Sequence, residues 1–129
     1  SPPVTMLLIF VGAGLGGVAR HAVGGWVQSA GGGAFPWSTL FINVSGSLLL
    51  AALYAAVEGS AAAPQWRAFL GVGVLGGYTT FSTFSLDALR LLQAGESGRA
   101  LLYVTGSVVL SLAGAALGLR AGAMLLERA

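Results

Sequence analysis

Four long stretches without a charged side chain constrain this sequence more than any other feature. They cover residues 1–19, 35–57, 68–86 and 100–119. An α-helix needs about 20 apolar residues to cross the roughly 30 Å hydrocarbon core of a bilayer, so each stretch approaches or exceeds one span. The pattern predicts an all-α membrane protein, with four transmembrane helices in a single membrane domain over residues 1–129. The expected spans are roughly residues 4–26, 37–57, 67–92 and 100–121.

Composition and the positions of the tryptophans agree with this prediction. Only 8% of the residues are charged and 56% are hydrophobic, which excludes the soluble globular and disordered classes. Trp26, Trp37 and Trp66 fall at predicted span ends, where an amphipathic ring favours the headgroup region. The first stretch lacks a positive leading segment and exceeds the apolar core of a typical signal peptide, so we expect a span there rather than a cleaved signal.

The six basic residues are all arginine, and they divide three against three between the two sides of the predicted bundle. One side has Arg20, Arg90 and Arg99, and the other has Arg67, Arg120 and Arg128. Without an arginine bias the chain can insert both ways, which predicts an antiparallel dual-topology homodimer. A unique orientation set by one arginine is the alternative. Because the arginines form no cluster, neither nucleic acid nor nucleotide is an expected partner.

The third span contains a sequence that weakens a helix near the bilayer midplane. Gly76 and Gly77 lie between Arg67 and Asp87, and β-branched threonines follow at 79–80. A break there would free backbone carbonyls that suit an alkali cation, and two copies would meet on the axis of an antiparallel dimer. The alternative is a continuous helix whose hydroxyls bond back to preceding carbonyls.

Neutral polar side chains recur on three of the predicted spans. Span 2 carries Thr39 and Asn43, and in span 4 the hydroxyls repeat every fourth residue from Tyr103. Phe81 and Phe84 share a face of span 3. Helix–helix hydrogen bonding and packing would explain each set alone. Together they favour a track on which an anion exchanges water for hydroxyl and amide donors and the positive edges of phenyl rings.

The segment Gly-Gly-Tyr-Thr-Thr-Phe-Ser-Thr-Phe-Ser at 76–85 closely resembles the Fluc family of fluoride channels, also called CrcB. Residues 17–20 and 39–43 are similar to that family as well, and the resemblance covers all four spans. It implies a passive fluoride channel in the cell membrane that exports cytoplasmic fluoride and lowers its toxicity. It also implies a dual-topology homodimer with two antiparallel pores.

The resemblance assigns roles to particular residues. It implies that Phe81 and Phe84 line the pores through their ring edges and that Asn43 donates a hydrogen bond to the ion. The rest of the implied polar track comprises Thr39, Ser82, Thr83, Ser85, Tyr103, Ser107 and Ser111. Arg20 is expected either to attract anions at a vestibule or to extend to the headgroups. The resemblance further implies a structural sodium ion bound by the carbonyls of Gly76 and Thr79, or of Gly77 and Thr80 after a shift of one residue.

Other functions are less well supported by the sequence. A small proton-coupled multidrug exporter would need a carboxylate inside the membrane, whereas Glu58, Asp87, Glu96 and Glu127 are expected at span ends or outside. A non-transporting assembly subunit would use the four-residue glycine spacings but not the polar track. An enzyme is not expected, because the chain lacks cysteine and its single histidine, His21, has no second catalytic group at a suitable spacing.

Overall fold

The computed structural model describes residues 1–128, and its regular structure is entirely helical. Helix α1 is Pro2–Gly31 and α2 is Trp37–Ala56. The third span, Ala63–Gln93, contains α3 (Ala63–Trp66), a π-helical segment (Arg67–Leu75), α4 (Gly76–Tyr78) and α5 (Phe81–Gln93). Helix α6 is Ser97–Arg128. Four helical segments are therefore long and apolar enough to cross a membrane, which confirms the multi-pass prediction. The antiparallel homodimer stays a prediction.

Three of the four membrane-spanning segments are longer than the expected spans, and α1 and α6 extend furthest. Helix α1 continues five residues past Trp26 to Gly31, and α6 continues past residue 121 to Arg128. Charged residues limit the hydrocarbon-embedded part of a helix but not the helix itself, since hydrogen bonding continues into the headgroup region and beyond. Large apolar side chains such as Phe10, 79% exposed, cover the outside of the bundle, as expected for a protein surrounded by lipid.

Glycines determine how the helices pack. Helix α1 lies against the π-helical segment, and α2 lies against α6. A Cβ added at Gly16 would overlap the Val74 carbonyl oxygen, and one at Gly118 would overlap the Leu48 carbonyl oxygen. The absence of side chains therefore lets the backbones touch, as in other close-packed membrane helices. This packing holds the third span against α1 and α6 against α2.

The third span is bent near its middle. The helix breaks at Thr79, two residues after the glycine pair at which the sequence predicts the break. Gly76 and Gly77 remain helical, whereas Thr79 (φ −82°, ψ 157°) and Thr80 (φ −153°, ψ 118°) are extended. Gly77 is needed for close contact with the Ala13 backbone, and the β-branched threonines fit extended backbone well. The next helix, α5, begins where the Thr83 amide donates to Thr80 Oγ1 at 3.2 Å.

Candidate ion pathway

Asn43 connects α2 to the break in the third span through two hydrogen bonds. Its Nδ2 donates to the Thr80 carbonyl oxygen at 2.9 Å, and the Thr80 amide donates to Asn43 Oδ1 at 2.9 Å. The Thr80 amide and carbonyl have no backbone partners within a helix, and the two bonds to Asn43 take their place. Such partners are needed inside a membrane because water is scarce there. A carboxamide has two N–H groups, and the second one has no hydrogen-bond partner among residues 1–128. Asn43 thus holds the break open and retains one free donor.

The segment just before the break is anchored to α2 by a buried tyrosine. The Tyr78 hydroxyl and Ser45 Oγ lie 2.9 Å apart and are hydrogen bonded, and Ser45 Oγ also donates to the Ile42 carbonyl at 3.2 Å. Thr79 Oγ1 donates back to the Leu75 carbonyl at 2.9 Å. Tyr78, which the sequence analysis left without a role, therefore positions the end of α4.

The carbonyl oxygens around the break differ in their partners. Arg20 Nε donates to the Gly77 carbonyl at 3.2 Å, and the Thr80 carbonyl accepts from Asn43. Within residues 1–128, neither the Gly76 nor the Thr79 carbonyl oxygen accepts a hydrogen bond, and both residues line the same cavity. The break thus has two carbonyl oxygens without a hydrogen-bond donor among the described residues.

A cavity of about 430 Å³ lies between α2, the third span and α6. It brings together Asn43, Phe81, Phe84, Ser107 and Ser111, all of which the sequence analysis selected. Phe81 is 78% exposed, and its ring centroid lies 5.5 Å from that of Phe84. The remaining lining residues are Gly46, Ser47, Leu50, Gly71, Leu75, Gly76, Thr79, Thr80, Val108 and Leu112. None of these lining residues ionises, so the cavity wall carries dipoles but no formal charge.

Ser107 adds a free donor to this wall. Its side chain is 6% exposed, and its Oγ has no hydrogen-bond partner within the described residues. A buried hydroxyl without a partner costs free energy, on the order of 1–3 kcal/mol, unless a ligand or water meets it. Ser107 and Asn43 line the same cavity, and each has a donor group without a partner among the described residues.

Asp87 binds two residues of the predicted polar track, although the sequence analysis expected this carboxylate at a span end or outside. Asp87 Oδ2 accepts from Thr39 Oγ1 at 2.9 Å and from the Tyr103 hydroxyl at 3.2 Å. Tyr103 is completely buried, and Phe84 packs on it with ring centroids 5.2 Å apart. The sequence spacing could have indicated this position of Asp87. Asp87 lies three residues after Phe84 and is therefore on the same face of α5. Thr39 and Tyr103 point their hydroxyls at Asp87 and do not line the 430 Å³ cavity.

The remaining predicted residues cluster around the start of α5. Thr80 Oγ1 lies 3.2 Å from Thr83 Oγ1 and 3.3 Å from Ser82 Oγ, while Ser85 Oγ donates to the Phe81 carbonyl at 3.0 Å. Of these three predicted hydroxyl residues, only Thr83 lines a described cavity, a second one shared with Arg20. Ser82 and Ser85 are exposed on the outer face of α5.

The fold and the cavity together define a small four-span membrane protein with an uncharged cavity beside a broken helix. The chain belongs to the CrcB family, since the family model described as "CrcB-like protein, Camphor Resistance (CrcB)" matches residues 7–119. This result confirms the family that the sequence resembles.

Curated relatives cover nearly the whole chain. A protein of Thermus thermophilus named "Fluoride-specific ion channel FluC" is 51% identical over 92% of this chain and 94% of its own length. A protein of Nitrobacter hamburgensis named "Fluoride-specific ion channel FluC 2" is 54% identical over 88% of this chain and 92% of its own. One from Rhizobium meliloti, with the first of these names, is 49% identical over 83% and 86%. All three are named as ion channels rather than enzymes.

Proposed function

We propose that this protein is a passive, fluoride-selective channel of the cell membrane that lets cytoplasmic fluoride leave and so lowers its toxicity. The observation that carries the proposal is the neutral, donor-lined cavity at the break, found in a chain half identical to proteins named as fluoride channels. The pathway comprises Asn43, Phe81, Phe84, Ser107 and Ser111. Release of fluoride but not chloride from sealed liposomes tests it.

The chemistry of the cavity suits an anion that must enter and leave quickly. Ser107 Oγ, the second N–H of Asn43 and the hydrogen-bearing edges of Phe81 and Phe84 offer positive ends of dipoles without a fixed charge. A lysine or arginine in the wall would hold fluoride too tightly, and conduction requires release as well as binding. Dipoles that replace part of the hydration shell of fluoride would bind the ion and still allow its release.

The exporter alternative gains one observation, which is that Asp87 is half-buried and bonded to two spans. A proton-coupled exporter needs its carboxylate in the substrate cavity, so that proton and substrate compete for it. Asp87 does not line the 430 Å³ cavity, and Thr39 and Tyr103 already donate to it. Its geometry fits a positioning role for these two hydroxyls better than an exchange site.

We further propose that two copies assemble antiparallel, each pore using residues beside the two breaks. Phe81, 78% exposed, is an aromatic ring of the pathway that a single chain leaves uncovered. Equal numbers of arginines on the two sides permit both insertions. Two inverted copies would place their breaks at one depth around a two-fold axis.

Reagent access from one side of the membrane tests this topology. The chain contains no cysteine, so Ala61→Cys, between α2 and α3, and Ser97→Cys, at the start of α6, give single labelling sites on opposite sides of the bundle. In sealed vesicles, a membrane-impermeant thiol reagent should label about half of the molecules of each variant, because both orientations are present. Nearly complete labelling of one variant together with protection of the other would contradict dual topology.

We propose that a structural sodium ion lies on the axis of this dimer, bound by the Gly76 and Thr79 carbonyls of both copies. Carbonyl oxygens are ligands that alkali cations accept at unwound helices. The free carbonyls of this pair fit such an ion, whereas those of Gly77 and Thr80 are engaged by Arg20 and Asn43. This difference supports the first of the two pairs considered from the sequence.

Removal of sodium tests the cation. When a large organic cation replaces sodium on both sides, we expect fluoride release to fall at least about tenfold, because four carbonyl dipoles would face one another uncompensated. Release rates and the dimer fraction are to be measured together, and restored sodium should recover both. Unchanged release and an unchanged dimer would refute the sodium site.

A further inference from the structure

One short stretch of α2 holds both sides of the break in the third span. Asn43 exchanges two hydrogen bonds with Thr80, which precedes α5, and Ser45 Oγ lies 2.9 Å from the hydroxyl of Tyr78, the last residue of α4. Two residues forward along α2 therefore correspond to two residues back along the third span, so the two segments run antiparallel at this point. We call the contact between Ser45 and Tyr78 the clamp.

The residue between these two contacts is held by its shape. A Cβ added at Gly46 would overlap the side-chain methyl of Thr79 and would lie 3.3 Å from the Tyr78 ring. Because Gly46 has no side chain, the Thr79 methyl lies directly against the α2 backbone. Residues 78–80 thus all contact α2, so a shift of Tyr78 would also move the backbone groups that bond to Asn43.

The direction of the hydrogen bond in the clamp follows from the number of protons. A serine hydroxyl has one proton, and Ser45 Oγ donates it to the Ile42 carbonyl at 3.2 Å, because a carbonyl oxygen can only accept. Ser45 Oγ therefore accepts from the Tyr78 hydroxyl, which is the donor. Tyr78 is 8% exposed, and its hydroxyl has no other hydrogen-bond partner among residues 1–128. Loss of the Ser45 oxygen would leave this donor buried and unpaired inside the membrane.

We propose that Tyr78 and Ser45 are positioning residues of the fluoride pathway, because their hydrogen bond fixes the break against α2 and so fixes the amide of Asn43. This inference rests on the proposed channel function. Neither residue lines the 430 Å³ cavity, so both act through Thr80 and Asn43 rather than on the ion. The two bonds to Thr80 set the plane of the Asn43 carboxamide, and that plane determines where its second N–H points. A Tyr78 hydroxyl without its partner favours positions in which it meets another acceptor, and movement of the ring away from α2 would turn the Asn43 donor.

A matched pair of variants at residue 45 tests this role. Ser45→Thr and Ser45→Val have nearly the same shape, but only threonine keeps an oxygen that can accept from Tyr78. Ser45→Val should therefore slow fluoride release at least about tenfold at low fluoride, whereas Ser45→Thr should keep at least about half of the unaltered rate. The fluoride concentration that gives half-maximal release should rise in Ser45→Val, since a displaced donor weakens binding. A merely structural role would reduce the amount of folded protein and leave that concentration unchanged.

The same substitution in a second background isolates the hydrogen bond. Tyr78→Phe removes the donor but keeps the ring, and Ser45 still donates to Ile42, so release should fall only about two- to threefold. Adding Ser45→Val to Tyr78→Phe should then lower the rate by less than about twofold, because no donor is left unpaired. The double variant should therefore release fluoride faster than Ser45→Val alone. Rates are measured in liposomes and divided by the amount of folded protein.

Three results overturn the positioning role while leaving the channel proposal intact: equal release from Ser45→Thr and Ser45→Val, an unchanged half-maximal fluoride concentration in Ser45→Val, or the same loss from Ser45→Val in both backgrounds. Ser45→Ala removes the same oxygen without the added methyl group and should behave like Ser45→Val in both backgrounds, so the comparison does not depend on the folding of one variant. If the unaltered protein releases no fluoride, the channel proposal itself is wrong, and the role of the clamp with it.

Discussion

Replacement of Asn43 by alanine is expected to lower fluoride release at least about a hundredfold, which corresponds to about 2.7 kcal/mol in activation free energy. The substitution removes both hydrogen bonds to Thr80 and the second N–H, which has no partner among the described residues. The Thr80 backbone would then lack partners inside the membrane, at a cost of about 1–3 kcal/mol for each group. The measurement is the initial rate of fluoride release from liposomes per amount of incorporated protein.

Two further variants separate the role of Asn43 from general damage. Asn43→Asp keeps an acceptor for the Thr80 amide but loses the donors, so it should remain folded while nearly inactive. Thr105→Ala removes an exposed polar side chain of α6 outside both cavities and should conduct like the unaltered protein. Folded Asn43→Ala protein that releases fluoride at the unaltered rate would contradict the role assigned to Asn43.

The second large effect concerns the two phenyl rings. The double substitution Phe81→Ile and Phe84→Ile should slow fluoride release at least about tenfold, since isoleucine fills much of the space but has no positive ring edge. The rings lie 5.5 Å apart beside Asn43, and Phe84 also packs against Tyr103. Rates measured for each single variant as well should show whether the two edges act on the ion separately.

A ring elsewhere on the surface provides the control. Phe10 on α1 is 79% exposed, nearly the same as Phe81 at 78%, but it lines neither cavity. Phe10→Ile therefore changes a ring of the same size and similar exposure outside both cavities, and it should leave release within about twofold of the unaltered rate. If the double variant behaves like Phe10→Ile, phenyl edges do not bind the ion and the pathway must run elsewhere.

The number of spans could be predicted from the sequence because the bilayer imposes a simple rule. Charges at Arg67 and Arg120 limit uncharged stretches of about the required length, and the structure has an apolar helix at each stretch. A weak point in the third span was predictable as well, from its glycines and threonines. Its exact position was not, because contact between Gly77 and Ala13 keeps the glycines helical and moves the break to Thr79–Thr80.

Features that depend on distant parts of the chain were beyond sequence reasoning. The π-helical segment Arg67–Leu75 arises where that segment packs on the glycines of α1, and no local pattern distinguishes it from an α-helix. The pairing of Asn43 with Thr80 joins residues 37 positions apart. Asp87 was placed at a span end by its charge, although Thr39 and Tyr103 bind it within the bundle.

Fluoride release from liposomes that contain the purified protein tests the central claim most directly. An ion-selective electrode follows release after a potassium ionophore is added, since a passive channel moves net charge and stops unless another ion compensates. We expect rapid fluoride release that requires the ionophore, and no faster chloride release than from protein-free liposomes. Well-folded protein that releases no fluoride, or releases chloride equally fast, would contradict the proposal of a fluoride-selective channel.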